Sequence, residues 1–329
     1  MTSAPSVEFI FSTQIPFEEK ALAIFRYQSE HNVVYKRYIE AINCNTSSIK
    51  ELKDIPFLPI SFFKTSVVAC GRFRAARVFE SSGTTGATTS KHHIKDVLLY
   101  QNSFVKGFES FYGYLPEYCI LALLPSYLER QNSSLVYMVQ KLMDLSGHST
   151  NGFFLSNYGE LSNKLQQLKA SEQKTLLIGV TFALLDFAEQ YPQTLLNTIV
   201  IETGGMKGRK KELLRQEVHS TLKTAFCLNA IHSEYGMTEL LSQAYAAADG
   251  VFVCPHWMRV FLREEDDPFK LINNGTASSG VLNIIDLANL HSCSFIASED
   301  LATVHPDGSF EILGRMDASD VRGCSMLAV

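Results

Sequence analysis

Apolar residues recur at spacings of three and four between Pro16 and about Ile42: Phe17, Ala21, Ile24 and Phe25, then Val34, Tyr35, Tyr38 and Ile42. With Glu18 and Glu19 in the first turn, that period predicts an amphipathic helix or helix pair. The next apolar block, Asp54 to Lys64, holds two prolines and three phenylalanines, which predicts an extended, buried connector. From Ala76 the texture changes. Arg77 to Glu80 reads as a strand, a Ser/Thr/Gly loop follows, and helical periodicity runs from about His93 to Phe111. Apolar runs of strand length at Tyr118 to Leu124, Thr175 to Val180 and Thr198 to Thr203 then alternate with helical stretches near Ser134 to Leu145, Leu161 to Leu168 and Thr181 to Gln190. Apolar strands between helices are what a parallel sheet covered on both faces requires. After Leu240 the helical signal fades. Met258 to Glu264, Gly280 to Leu287, Ser294 to Ala297 and Phe310 to Leu313 read as strands, with turns at Asn273 to Gly275 and Pro306 to Gly308. The expected fold class is α/β, a parallel-sheet body with a mainly β C-terminal portion.

Composition narrows the function. The 329 residues carry 29 Lys plus Arg against 34 Asp plus Glu, and this balance of −5 comes without a long basic block. General binding to nucleic acid or a membrane surface therefore has no electrostatic basis. The first residues lack a basic start followed by an apolar core, so they do not read as a signal peptide, and the apolar run at Cys119 to Leu124 is far short of the ~20 residues of a membrane span. A soluble cytoplasmic protein acting on something small is expected. The seven cysteines, Cys44, Cys70, Cys119, Cys227, Cys254, Cys293 and Cys324, are scattered without a CxxC pair, which predicts reduced thiols.

Three loops carry candidate chemistry. In Ser81 to Lys91 (SSGTTGATTSK), Gly83 and Gly86 let backbone N–H groups turn inward. The Ser/Thr hydroxyls supply neutral donors, and Lys91 adds charge near the expected helix N-terminus. Together these can hold a polyphosphate; the alternative is a polar surface loop. Ile201 to Arg209 (IETGGMKGR) places Gly204 and Gly205 after a predicted parallel strand, where a flat base can approach the backbone or where a tight turn needs them. In Glu234 to Glu239 (EYGMTE), Tyr235 can stack on a base, Thr238 can reach a phosphate and Glu239 can hold Mg²⁺. His92, His93 and His232 read as structural or surface residues.

An SSGTTG loop, a GG turn, YGMTE, an acidic residue at Ser298-Glu299-Asp300 and GRMD (Gly314 to Asp317), in that order, resemble the adenylate-forming superfamily of acyl-CoA synthetases and adenylation domains. The segment PFLPISFFK, the motif FESSGTTG and the ending LGRMDASDVRGCSMLAV are most similar to the acyl-protein synthetases of bacterial luciferase systems, the LuxE type. The resemblance implies the large N-terminal domain of such enzymes without the small C-terminal one, as a single integrated unit. Residues 1–75 would be a helical region packed on the body, 76–240 an α/β nucleotide-binding region, and 241–329 a β-rich region with a tail.

It also implies roles. Ser82, Gly83, Thr84, Thr85, Gly86 and Lys91 would hold the pyrophosphate portion of ATP; Gly204 and Gly205 would lie along adenine, with Tyr235 on its other face. Thr238 would contact the α-phosphate, Glu239 would bind Mg²⁺, Asp300 would hold the ribose hydroxyls, and Arg315 would close over ribose or phosphate. A fatty carboxylate would form an acyl-adenylate. A thiol of the chain near its end, Cys324, would then take the acyl group and pass it to a reductase partner. From Arg315 to Cys324 an extended chain reaches up to ~30 Å, and Arg322 beside the thiol would favour thiolate. Ala318 at the hinge position, neither acidic nor basic, would not support the usual domain rotation, and the 14 residues after Arg315 would hold no counterpart of the superfamily's C-terminal lysine. Lys64, Lys91, Lys207 or a partner would have to supply its charge. The acyl pocket is expected from apolar residues such as Phe153, Phe154, Phe182, Leu184 and Tyr245, which can equally be core. Two alternatives are an acyl- or aryl-CoA ligase and a non-catalytic nucleotide- or acyl-binding subunit of a reductase complex.

Overall fold

Residues 3–81, 88–125, 132–204, 213–272 and 276–316 are described by the computed structural model of the chain. It opens with helices α1 (Val7–Phe11), α2 (Phe17–His31) and α3 (Val33–Ala41). Asn32 divides the predicted amphipathic stretch: its backbone is extended, and its side chain caps α3 by accepting from the Tyr35 N–H. The proline-rich connector is extended over β1 (Leu58–Pro59) and then turns into α4 (Phe62–Thr65). These helices are tied to the distant end of the chain. The buried Gln28 amide donates to the carbonyls of Asn289 and Leu290 and accepts from the Ser294 N–H, and the Asn32 amide donates to the Ser292 carbonyl.

The next elements are β2 (Arg77–Glu80), β3 (Lys91–Ile94), α5 (Val97–Tyr112), β4 (Cys119–Leu123), α6 (Ser134–Ser146), β5 (Gly152–Phe154), α7 (Tyr158–Ala170), β6 (Thr175–Val180), α8 (Thr181–Gln190), β7 (Thr198–Thr203), α9 (Arg215–Phe226), β8 (His232–Tyr235) and β9 (Ala244–Ala246). A six-stranded sheet runs in the order β5-β4-β6-β7-β8-β9, parallel except for β9. Every residue of β4 and β6 is buried, as strands between two helical layers must be. Because helices return the chain between parallel strands, the carboxyl ends of β4 through β8 share one edge of the sheet.

The remainder is β10 (Val251–Phe252), β11 (Met258–Arg263), β12 (Leu271–Ile272), β13 (Ser278–Asp286), β14 (Phe295–Val304) and β15 (Phe310–Arg315). They form a second sheet in the order β10-β15-β14-β13-β11-β12, antiparallel throughout. Along one edge of β14 the neighbour changes, from β1 at Ile296 and Ala297 to β15 from Asp300 onward. β14 is thus longer than the predicted Ser294 to Ala297 and includes Asp300. The expected turn at Asn273 to Gly275 lies outside the described residues. Among the described residues, no helix is long and apolar enough to cross a membrane.

A buried polar knot joins the sheets to α5. Asp286, fully buried at the end of β13, accepts from the N–H groups of Leu241, Ser242 and Ala288 at 2.8, 3.0 and 3.1 Å and from the Ser242 hydroxyl at 2.6 Å. The Trp257 indole N–H donates to Ser242 and to Ser103 on α5. Asp286→Ala would strand these donors out of reach of water. It is expected to cost about 3 kcal/mol or more, read as a lowered midpoint in urea unfolding.

Candidate functional site

The first predicted loop lies in the sequence between two paired strands. β2 and β3 pair antiparallel with Glu80 opposite Lys91, and the ladder continues one step further, with Ser81 N–H donating to the Ser90 carbonyl and Ser90 N–H to the Ser81 hydroxyl. Ser82, Gly83, Thr84, Thr85 and Gly86 lie outside the described residues, as do Gly205, Lys207 and Cys324. The expectation that Lys91 stands near a helix N-terminus is corrected. It is on β3, 3.7 Å from Glu80 across the hairpin, and α5 begins only at Val97, capped by Asp96. The alternation of Lys91-His92-His93-Ile94 sends His92 and Ile94 into the core and leaves Lys91 on the exposed face. An exposed ion pair of this kind stabilises little, so the Lys91 ammonium can exchange Glu80 for another anion.

The third segment begins on a strand, not in a loop: Glu234 and Tyr235 are the last residues of β8. The Tyr235 hydroxyl donates to Asp300 Oδ2 at 2.7 Å, so a residue of the parallel sheet meets one of the antiparallel sheet. The tyrosine ring rests against Phe252 and Phe310. Arg315 is opposite Asp300 in the β14–β15 ladder, its Nε 3.9 Å from Asp300 Oδ1 and its Nη2 3.3 Å from Glu299 Oε2. Burial pushes the Asp300 carboxyl above the usual range, against the Tyr235 hydroxyl and Arg315, which favour its charged form.

Beyond Tyr235 the chain turns at Thr238 and Glu239, and the turn is clamped from two sides. His92 Nδ1 lies 2.8 Å from the Thr238 carbonyl, and the Asn289 amide donates to the Glu239 carbonyl at 2.8 Å. Burial pulls the His92 pKa down to about 4, so the ring is neutral and donates through Nδ1–H. Glu239 is only 5% exposed. Burial raises its carboxyl, while Ser90, Arg315 and Lys64 of α4 favour ionisation. Lys64 is therefore the described lysine whose charge reaches Glu239. Ser90, His92 and Asn289 lie outside the SSGTTG and YGMTE motifs; they act on the turn from remote parts of the chain. Among the described residues no three His, Cys, Asp or Glu side chains gather to hold a metal.

Gly204 follows β7 with φ +64°, a left-handed backbone that favours glycine, and its carbonyl accepts from the Thr181 hydroxyl at 2.7 Å. Beneath it lie two buried carboxylates. Glu202 accepts from Ser233 and Thr181 at 2.8 Å each; burial raises its carboxyl but is outweighed by His219, Arg215 and these hydroxyls, leaving it below the usual value. Glu234 accepts from the Thr203 hydroxyl, and burial, opposed by that bond and reinforced by Glu202, lifts it to about 7.

The residues suggested for an acyl pocket do not converge. Phe153 and Phe154 are on β5, at one edge of the six-stranded sheet, and Tyr245 is on β9, at the other. Five strand spacings of ~4.8 Å put those edges about 24 Å apart. Phe154, Phe182, Leu184 and Tyr245 are all buried, with Tyr245 against Phe111 and Tyr112 of α5.

The family model for the LuxE acyl-protein synthetases matches residues 3–328. No curated protein matches the chain by sequence. Among solved structures, similar folds include ATP-bound MatB from Rhodopseudomonas palustris (17% identity, TM-score 0.53, 74% of this chain and 49% of that one). A long-chain-fatty-acid-CoA ligase, FadD1, from Archaeoglobus fulgidus is similar at 13% identity and TM-score 0.52, over 73% of this chain and 51% of that one. So is the Bacillus subtilis O-succinylbenzoate coenzyme A synthetase MenE in complex with ATP and magnesium ion, at 13% identity and TM-score 0.50, over 74% and 51%. These identities speak to fold: the α/β body is that of the N-terminal domain of adenylate-forming enzymes. The chain spans about half the length of those structures.

Proposed function

The chain belongs to the LuxE family of acyl-protein synthetases, and from that membership we propose that it activates a fatty acid with ATP and transfers the acyl group to its own Cys324 for delivery to a reductase. The observation that carries the proposal is the bond from Tyr235 to Asp300 with Arg315 beside it. Three separate motifs meet there, at the carboxyl end of β8, where open α/β sheets form their binding crevices. In this proposal adenine lies along Gly204 and Gly205 beside Tyr235, and Asp300 and Arg315 hold the ribose. Ser82, Gly83, Thr84, Thr85 and Gly86, with Lys91 at the loop end of the hairpin, take the pyrophosphate portion, and Thr238 takes the α-phosphate. The setting of Glu239 fits Mg²⁺: a single buried carboxylate suits an ion that completes its oxygen shell with substrate phosphates and water. Bound there, the ion would draw charge from the phosphoryl oxygens.

A carboxylate oxygen of the acid bonds to the α-phosphorus as the bond from phosphorus to the bridging oxygen breaks, and pyrophosphate leaves with the electron pair. Lys64 and Arg315 supply positive charge close to Glu239. The Cys324 thiolate then bonds to the acyl carbon, AMP departs with the electrons of the acyl–oxygen bond, and the thiol proton passes to water. A cytoplasmic setting keeps that thiol reduced. The test is fatty-acid-dependent exchange of labelled pyrophosphate into ATP across a panel of chain lengths, followed by product analysis with and without coenzyme A. Exchange with acyl-protein formed independently of coenzyme A is the expected result. Acyl-CoA as the product would make the chain a coenzyme A ligase, and ATP binding without exchange would make it a binding subunit.

A further inference from the structure

Between the two strand ends that carry Gly204 and Tyr235 sits a carboxylate with no part in the chemistry above. Glu234 is 9% exposed and reaches across from β8 to β7, where the Thr203 hydroxyl donates to its Oε2. Its Oε1 fills the space beside Gly236, where any Cβ would collide with it, and Gln243 Cγ lies 3.4 Å from the same point. We infer that Glu234 is a positioning residue for the nucleotide crevice, a brace that ties Thr203-Gly204 to Tyr235-Gly236 and so sets the gap between the glycine turn and the tyrosine. The inference rests on the nucleotide reading of Gly204 and Tyr235.

As mere filler a carboxyl group would be a costly choice, since an apolar side chain fills such a volume without desolvating a polar head. The surroundings are polar and incompletely paired. Tyr112 Oη, Gln243 Oε1 and His232 Nδ1 are buried without hydrogen-bond partners among the described residues, and Tyr112 is close enough to feel the charge of Glu234. The titratable groups facing Glu234 are Glu202 from β7, Tyr100 and Tyr112 from α5, and Tyr245 from β9, with His232 on its own strand and His219 and Arg215 of α9 behind Glu202. Among the described residues no cation pairs with Glu234. In its neutral form it accepts from Thr203 without adding a second charge beside Glu202. Ionisation strengthens the Thr203 bond but sets a second buried negative charge beside Glu202; the larger cost of burial and repulsion draws water to the carboxylate, and the brace loosens.

The experiment is binding of a fluorescent ATP analogue with Mg²⁺ to the full chain between about pH 6 and 9, for the wild type, E234A, E234Q and D300A, with thermal melting of each. At the acid end E234A is expected to bind about tenfold more weakly, the scale of one buried hydrogen bond, and E234Q to restore binding. Wild-type affinity falls as pH rises through about 7, and E234Q stays flat because an amide does not ionise. An equal fall in E234Q, or an E234A that melts lower yet binds as tightly as the wild type, overturns the brace; should E234A fail to fold, the E234Q slope decides. If D300A loses binding while both Glu234 variants track the wild type, only the brace falls. If the wild type binds no nucleotide, or D300A binds as the wild type does, the nucleotide reading falls and the brace with it.

Discussion

Glu239→Gln is expected to lower acid-dependent pyrophosphate exchange by about two to three orders of magnitude, with the melting temperature at neutral pH unchanged or raised. The split follows from burial. At 5% exposure the Glu239 carboxyl is held above its usual pKa, so folding works against its charge. A group raised in this way gives its stabilisation below the ordinary carboxylate range and loses it as pH climbs toward the folded value. Glutamine keeps the shape, can still accept from Ser90 and removes the cost of the buried charge. What it cannot do is present an anion to a divalent cation. The clean readout is exchange rate against Mg²⁺ concentration for both proteins, beside thermal melts at acid and neutral pH. An exchange rate within a few-fold of the wild type would remove Glu239 from the metal. A variant that loses rate and stability together would point to misfolding of the Thr238–Glu239 turn.

The parts of this fold legible in the sequence were those whose residues answer to one local period. Thr175–Val180 and Thr198–Thr203 are apolar runs with helices on either side, and Thr181–Gln190 follows at once as a helix, as expected. β3 was not legible. Four residues alternating Lys-His-His-Ile are too short to show a period of two, and Ile94 continues into the spacing of α5. The length of β14 was hidden by Ser298-Glu299-Asp300, a polar run that looks like a turn. Its polarity is answered from a distance: the Arg263 guanidinium donates to the Ser298 carbonyl, the Ser298 hydroxyl to the Leu282 carbonyl, and Tyr235 to Asp300.

The candidate site divides in the same way. Tyr235, Thr238, Glu239, Asp300 and Arg315 announce themselves by motif, and the first and last two of them lie within one contact network. The residues that hold the motif in place do not. His92 and Thr238 are 146 positions apart and Asn289 and Glu239 are 50 apart, and in both pairs one partner is a backbone carbonyl, which leaves no trace in side-chain pattern. The acyl-pocket expectation failed for a related reason: burial is common to Phe154 and Tyr245, but hydrophobicity alone does not say on which edge of the sheet each stands.

Cys324→Ser is expected to abolish the covalent acyl adduct while fatty-acid-dependent pyrophosphate exchange continues. The other cysteines support this by their settings. Burial raises the thiols of Cys44, Cys70, Cys254 and Cys293, and holds Cys119 at about 12, so little thiolate forms at neutral pH. Cys227 is exposed, but it caps the C-terminus of α9, which returns the chain to the start of β8, the end of the sheet opposite the proposed crevice. Cys324 is nine residue steps beyond Arg315, and an extended segment of that length spans up to ~30 Å, enough for the proposed carrier role. The measurement is incorporation of radiolabelled fatty acid with MgATP, then release by neutral hydroxylamine, which cleaves thioesters. C227S should keep the label and C324S should lose it to background, with exchange rates alike in both. Label that survives in C324S would move the acceptor role elsewhere, whereas loss of exchange along with the label would mean that the tail also helps build the adenylation site.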